Sequence, residues 1–254
     1  MRKKYFFFDY DGTLALPLTR TIPESTREAI RRLRAAGHFV GLATGRLQAN
    51  ALDYVESCGI RSIVADGGNS VTLHGELKWM ESIPVAPCQA FLRRLEAQGI
   101  PWAVMPRNEM VRYARSDAFE RATTDGYAPT VVDPSLTIDG LTCVYKLFVP
   151  CTEAEERTID FTGVPHVRYD GSCMFIEPTD KSRGIKKLMD LLGGPYEDVV
   201  VFGDGYNDLK MFIPEWTSVA MGNAREPLKA KADYVTTRCD EDGILNAVEH
   251  FGWA

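Results

Sequence analysis

The sequence predicts an α/β protein, a parallel sheet flanked by helices with a second, α+β segment inserted into it. Three observations lead there. Apolar runs stop abruptly in polar loops at Asp9, Thr44 and Asp204. Helix-period stretches separate those runs, so the strands need crossover connections and pair in parallel. This texture breaks off near Pro84 and returns near Lys181. At about 150 residues per domain, 254 residues correspond to about 1.7 domains, enough for a large core.

Lys4 to Phe8 reads as a buried strand discharging into Asp9-Tyr10-Asp11-Gly12-Thr13. Pro23 and Glu24 open a helix with Ala29, Ile30, Leu33 and Ala36 on one face, closed by Gly37. Phe39 to Ala43 is the second strand and ends in Thr44-Gly45-Arg46. A helix follows with Leu47, Ala51, Tyr54, Val55 and Cys58 on one face and Gly59 at its end. Ser62 to Ala65 is the third strand, and Ser70 to Trp79 reads as a hairpin around His74-Gly75-Glu76.

From Pro84, helical stretches near Gln89–Gln98 and Glu153–Phe161 alternate with short strand-like runs at 102–105, 110–114, 143–149, 164–169 and 173–176. Closely spaced Pro and Gly make this an antiparallel α+β layer. The first texture then resumes with a stripe of Ile185, Leu188, Met189 and Leu192, and with a buried strand Val199–Phe202 that ends in Gly203-Asp204-Gly205. Runs at 218–221 and 234–236 and a helix at 244–251 close the chain. The expected domains are 1–82 and 181–254 as one discontinuous core, and 83–180 as the insertion.

Composition narrows the function. With 45 % hydrophobic and 25 % charged residues the chain is neither disordered nor low-complexity. A net charge of −6 gives no general field for nucleic acid or anionic lipid. The apolar run after Arg2, Lys3 and Lys4 stops at Asp9, short of the ~7–15 residues of a secretory core, and no window reaches the ~18 of a membrane span. Six cysteines without a C-x-x-C pair point to reduced, mostly buried thiols, so a cytoplasmic location is expected.

The chemistry concentrates at strand ends. Asp9 and Asp11, two apart, are expected to project to one side and repel unless a cation lies between them or one holds a proton. Asp204 and Asp208 follow another strand of the same sheet, so four acidic side chains are expected to converge on one edge. With no His or Cys beside them, such an all-oxygen site favours Mg²⁺ over Zn²⁺. Taken alone, either acidic segment reads equally well as a solvated turn. Phosphate is the natural partner of a carboxylate-bound Mg²⁺. Donors for it are the Thr44 hydroxyl, backbone N–H groups at Gly45 and in the Gly12-Thr13 turn, and Lys181, with Arg183, Lys186 and Lys187 as rival cations.

Asp9-Tyr10-Asp11-Gly12-Thr13, Ala43-Thr44-Gly45-Arg46, Lys181-Ser182-Arg183-Gly184-Ile185 and Phe202-Gly203-Asp204-Gly205-Tyr206-Asn207-Asp208 together resemble the four ordered motifs of the haloacid dehalogenase (HAD) superfamily. Within it the chain is similar to the Cof-type (subfamily IIB) phosphatases, which carry an inserted cap. The tail Val219–Ala224, 232–236 and 240–244 fits the same subfamily. There are two departures. Gly67-Gly68-Asn69 stands where Asn-Gly-Ala is usual, and the aromatic Tyr10 replaces an aliphatic residue, a change from which no loss is expected because only the Tyr10 backbone is needed.

The resemblance implies a HAD-like Rossmannoid core and an aspartyl-phosphate mechanism. Asp9 is then the nucleophile and Asp11 the general acid and base. Mg²⁺ is held by the Asp9 carboxylate, the Asp11 carbonyl and Asp204, with Asp208 acting through a water. The Tyr10 and Gly45 backbones, Thr44, Lys181 and Asn207 hold the phosphoryl oxygens. The implied partner is a small phosphorylated metabolite, such as a sugar phosphate, with neither nucleic acid nor membrane involved; oligomeric state is not legible. The insertion is expected to close over the site and choose the leaving group, with Arg107, Arg112, Arg115, Asp170 and Glu177 as its candidate contacts. The alternatives are a phosphomutase or phosphotransferase using the same intermediate, and a receiver-like phosphorylatable module. The last is about half this length and leaves Gly203–Asp208 unexplained.

Overall fold

A computed structural model of the chain describes residues 2–17, 19–169 and 171–254. The chain divides into two compact units, Met1–Met80 with Asp180–Ala254, and Glu81–Thr179.

The first stretch of the chain supplies β1 (Tyr5–Phe8), α1 (Glu24–Ala35), β2 (Phe39–Ala43), α2 (Gln48–Ala51), β3 (Ile63–Ala65), β4 (Ser70–Leu73) and β5 (Glu76–Met80). The middle unit holds α3 (Val85–Ala97), β6 (Ala103–Met105), β7 (Arg112–Ala114), α4 (Ala118–Ala122), β8 (Thr130–Val132), β9 (Lys146–Pro150), α5 (Glu153–Glu156), β10 (His166–Val167) and β11 (Cys173–Ile176). The last stretch returns to the first unit with α6 (Lys181–Leu192), β12 (Val199–Gly203), β13 (Thr217–Ala220), α7 (Glu226–Lys229), β14 (Tyr234–Val235) and α8 (Gly243–His250).

Among the described residues the first unit carries one eight-stranded sheet, in the order β14-β13-β12-β1-β2-β3-β4-β5. The strands from β14 to β3 pair in parallel, and β4 and β5 add an antiparallel hairpin at one edge. His74 and Gly75, both at positive φ (54° and 89°), make its two-residue turn, the geometry that matches the strand twist.

β1 is the central strand and explains its own composition. Phe6 and Phe8 enter one core with Ile30 and Leu33 of α1 and Ala247 and Val248 of α8. Tyr5 and Phe7 point the other way, into a core with Ile185, Leu188 and Met189 of α6 and Leu228 of α7. A strand buried on both faces has no polar positions to alternate with, so Tyr5–Phe8 is an unbroken aromatic run.

Among the described residues the middle unit has a six-stranded sheet, β10-β11-β9-β6-β7-β8, with α3 contributing Cys88, Phe91, Leu92 and Leu95 to its core. It is antiparallel except at β7·β8, a parallel pair the sequence does not signal because β8 is short and half-exposed.

The helix expected over Leu47–Cys58 is much shorter. After α2 the chain tightens into i→i+3 turns, with Val55 N–H on the Leu52 carbonyl and Cys58 N–H on the Val55 carbonyl, and Gly59 closes it at φ 68°. Leu47, Ala51 and Val55 are buried nevertheless, so the apolar periodicity that suggested a helix is satisfied by turns.

Candidate active site

Parallel strands leave their carboxyl ends on one edge, and β12, β1 and β2 are adjacent there. In register, Phe8 of β1 lies between Phe202 of β12 and Leu42 of β2. Asp9 therefore follows β1, Thr44 follows β2 and Asp204 follows β12 at neighbouring points of one edge.

The fourth component comes from α6. Lys181 is its first residue and is buried. The approach depends on absent side chains: an ideal Cβ on Gly68 would stand 2.0 Å from the Asp180 carbonyl oxygen, and one on Gly184 would stand 2.4 Å from Val64 Cγ1. A buried ammonium beside a helix amino terminus is unfavourable by itself, so it needs anions. Lys181 Nζ has them, donating to Asp9 Oδ1 at 2.6 Å and to Asp208 Oδ1 at 2.5 Å. The other oxygen of Asp208, Oδ2, accepts from the N–H groups of Asp204 and Gly205, each at 2.9 Å.

Asp9, Asp204 and Asp208 offer carboxylate oxygens all within 4.8 Å of one another. Three acids around one lysine leave excess negative charge, and the pKa values of Asp9 and Asp204 register it. Burial, then Asp208 and Asp204, push Asp9 well above the usual carboxylate range against the pull of Lys181. Burial and Asp208 push Asp204 up to about 7. Burial works to lower Lys181, but Asp208 and Asp9 outweigh it and hold its pKa above the ordinary lysine value. A compact, all-oxygen, charge-excess cluster of this kind fits a hard divalent cation such as Mg²⁺.

The four expected acids do not all meet. Asp11 is not one of the three clustered acids but pairs with Arg46, whose Nη2 lies 2.8 Å from Oδ1 and 2.9 Å from Oδ2 and whose Nε lies 3.1 Å from Oδ2. The reason is local. The backbone leaves the extended form at Tyr10, with Leu14 N–H on the Asp9 carbonyl and Ala15 N–H on the Tyr10 carbonyl, so the two-residue alternation of a strand no longer applies.

Tyr10 and Gly45 bring their backbones to the same edge. Thr44 is buried, and its hydroxyl oxygen accepts from Arg46 N–H at 3.1 Å, a turn that leaves its O–H proton free to donate elsewhere. Asn207 lies in the short turn Tyr206–Asp208, half-buried, and makes no side-chain hydrogen bond to the acidic cluster among the described residues.

Three further side chains shape the site without having been singled out from sequence. Thr13 Oγ1 donates to Asp204 Oδ1 at 3.3 Å. Asn223 Nδ2 donates to the Gly12 carbonyl at 2.8 Å, and Asn223 Oδ1 accepts from Cys239 N–H. Arg46 stood inside a quoted motif without a role. Asn223 had a readable signal, since it too follows a parallel strand, β13.

Gly12 carries a conformational demand, with φ at +77° and an ideal Cβ only 2.3 Å from Asp204 Oδ2. Gly12→Ala is expected to cost about 1–2 kcal/mol in backbone strain and to displace Asp204. Denaturant melts should show the loss.

In the middle unit the suggested contacts are mostly occupied. Arg112 is buried in an ion pair with Asp125, over the rings of Phe119 and Phe148. Glu177 is buried between Lys146 and Tyr169. Arg115 pairs with Glu96 at 3.0 Å, and Arg107 lies over Tyr113. Asp170 lies outside the described residues. Among the described residues no helix is long and apolar enough to cross a membrane.

Residues 6–248 match the haloacid dehalogenase-like hydrolase family. The chain is 31 % identical to YkrA of Bacillus subtilis, provisionally named a phosphatase, over 99 % of both chains. It is 30 % identical to a Streptococcus pyogenes protein provisionally named a bifunctional phosphatase and peptidyl-prolyl cis-trans isomerase; that match covers 98 % of this chain and spans about half, 54 %, of the relative's length. The solved structure of the HAD subclass IIB sugar phosphatase BT4131 superposes with a TM-score of 0.81 at 29 % identity, covering 99 % of this chain and 100 % of that one. By a family match across nearly its whole length, the chain belongs to the haloacid dehalogenase-like hydrolases, among relatives named as phosphatases.

Proposed function

We propose that the chain is a Mg²⁺-dependent phosphatase that hydrolyses a small phosphorylated metabolite, of the sugar-phosphate class, through an aspartyl-phosphate on Asp9. The observation that carries the reading is Lys181 bridging Asp9 and Asp208 with Asp204 beside them. A buried carboxylate is a nucleophile only as the anion, and Lys181 opposes the burial that would protonate Asp9.

In the first half-reaction an Asp9 oxygen bonds to phosphorus as the bond to the leaving oxygen breaks, and Asp11 gives that oxygen its proton. In the second, Asp11 takes a proton from water as the water oxygen bonds to phosphorus and Asp9 is released. Thr44, Lys181, Asn207 and the backbone N–H groups of Tyr10 and Gly45 hold the phosphoryl oxygens as charge spreads over them. The Asp9 carboxylate, the Asp11 carbonyl, Asp204 and Asp208 would hold Mg²⁺, which would supply charge neutralisation. Residues 83–180 are assigned the choice of leaving group, and the sugar-phosphate class rests on analogy with the subclass IIB relative.

A screen of phosphorylated metabolites with Mg²⁺, read as free phosphate, tests the reading and names the substrate. An isomeric phosphosugar product in place of phosphate would make it a mutase. Exhaustive EDTA treatment is expected to abolish turnover, and activity that survives it would remove Mg²⁺ from the account.

Stability provides a check independent of turnover. With Asp204 at about 7 in the metal-free fold, against 3.8 for an ordinary Asp, the folded state keeps a proton that the unfolded chain releases. That stabilisation is complete below about pH 4 and is lost as pH rises through 7. Mg²⁺ competes with the proton, so it should raise Tm more at pH 8 than at pH 5. Equal shifts at both would count against this cluster as the cation site.

A further inference from the structure

Tyr10 is a departure from the usual motif, and its side chain is committed. Its ring packs against Tyr54 with centroids 5.1 Å apart, and its phenol donates to the Arg20 carbonyl at 3.1 Å. The Arg46 guanidinium lies over both rings, 5.0 Å from the Tyr10 centroid and 4.1 Å from that of Tyr54. Its backbone is tied as well, N–H to Thr44 Oγ1 and carbonyl to Asp66 N–H at 2.9 Å. The Arg46 side chain is 11 % exposed, whereas its partner Asp11 is 47 % exposed. The arginine is thus seated by its surroundings, and the more exposed member of the pair is the carboxylate.

We propose that Arg46, seated on the rings of Tyr10 and Tyr54, is the positioning residue that holds the Asp11 carboxylate for its proton transfers. The inference rests on the phosphatase reading above and deepens it. When Asp11 gives its proton to the leaving oxygen it becomes an anion. A planar guanidinium already presented edge-on receives that anion in two charge-assisted hydrogen bonds, which a lysine cannot reproduce. The aromatic seat removes the rotamer freedom that a long, exposed side chain would otherwise lose at that moment. Tyr10 thereby acquires a side-chain task beyond the backbone contact expected of its position.

The test is the dependence of kcat/KM on leaving group across a series of substituted phenyl phosphates, from p-nitrophenyl to unsubstituted phenyl. kcat/KM reports the half-reaction in which the leaving oxygen departs. A p-nitrophenolate leaves with little help, whereas phenolate needs the proton. Arg46→Ala should lose on the order of 30-fold more on phenyl phosphate than on p-nitrophenyl phosphate, steepening the slope against leaving-group pKa. Arg46→Lys should fall between, and Tyr54→Leu should steepen the slope several-fold less. A purely structural role would lower all substrates together.

If Arg46→Ala does not fold, the slopes of Arg46→Lys and Tyr54→Leu decide. Folded variants with the wild-type slope overturn the proposal while leaving the phosphatase reading intact. Wild-type protein with no Mg²⁺-dependent hydrolysis of p-nitrophenyl phosphate, or an Asp9→Asn variant that retains it, overturns the reading itself.

Discussion

Asp9→Asn is expected to lose turnover on the order of 10⁴-fold or more while remaining folded, because an amide cannot form the acyl phosphate on which both half-reactions depend. The fold should not suffer. Asp9 is one of three clustered acids beside a single ammonium, and Asn can still accept from Lys181 while carrying no charge. Metal-free Asp9→Asn should therefore melt at or above the wild-type temperature at pH 8, where crowding of carboxylates is worst, and should gain less from Mg²⁺. Steady-state assay beside a thermal melt separates the two effects. A variant keeping more than a few per cent of wild-type activity would remove Asp9 as nucleophile.

Lys181→Met is expected to damage both stability and activity. Among the described residues the ammonium is the one cation bonded to Asp9 and Asp208, in a buried group, and a methionine of similar shape leaves those charges unopposed. Breaking a buried ion pair from one side typically costs about 3–5 kcal/mol, which for a chain of this size corresponds to a fall in Tm on the order of 10 °C. Mg²⁺ should recover part of that loss by taking over as counter-ion. Turnover should fall on the order of 10²–10³-fold, the usual cost of one preorganised donor to a phosphoryl oxygen. A wild-type melting curve for metal-free Lys181→Met would show that the carboxylates are held some other way.

The fold class was legible because the physics that makes a parallel sheet also marks the sequence. Strands covered on both faces become unbroken apolar runs such as Tyr5–Phe8 and Val199–Phe202, and the first polar residue after each one marks the edge where loops gather. Asp9, Thr44 and Asp204 were found that way. Lys181 was suggested by its place at the head of a returning amphipathic stripe, which α6 carries into the core.

Strand alternation does not place Asp11, because it holds only while the backbone stays extended, and the turn beginning at Tyr10 leaves this side chain paired with Arg46. The partnerships of Thr13 and Asn223 are illegible for a different reason, although Asn223 itself stands after a parallel strand. Their partners lie 191 and 211 residues away, at Asp204 and Gly12, distances over which no local pattern carries information. The short strand β8 and the broken helix after Arg46 show the complementary limit, where brief or irregular elements satisfy burial without a period long enough to read.

The central pairing of β1 with β12 joins residues 5–8 to 199–202. During synthesis β1 can find β2 early, but its other edge waits until some two hundred residues have been made. Until then a strand of three phenylalanines and a tyrosine presents an open edge to whatever strand is nearby, in the nascent chain or in a neighbour. Assembly of the acidic cluster waits on the same event, since Asp204 and Asp208 follow Asp9 by nearly two hundred residues. A truncated or stalled product would thus carry its most adhesive segment and no working centre, and late folding of this pair is where chaperone dependence of the chain should be sought.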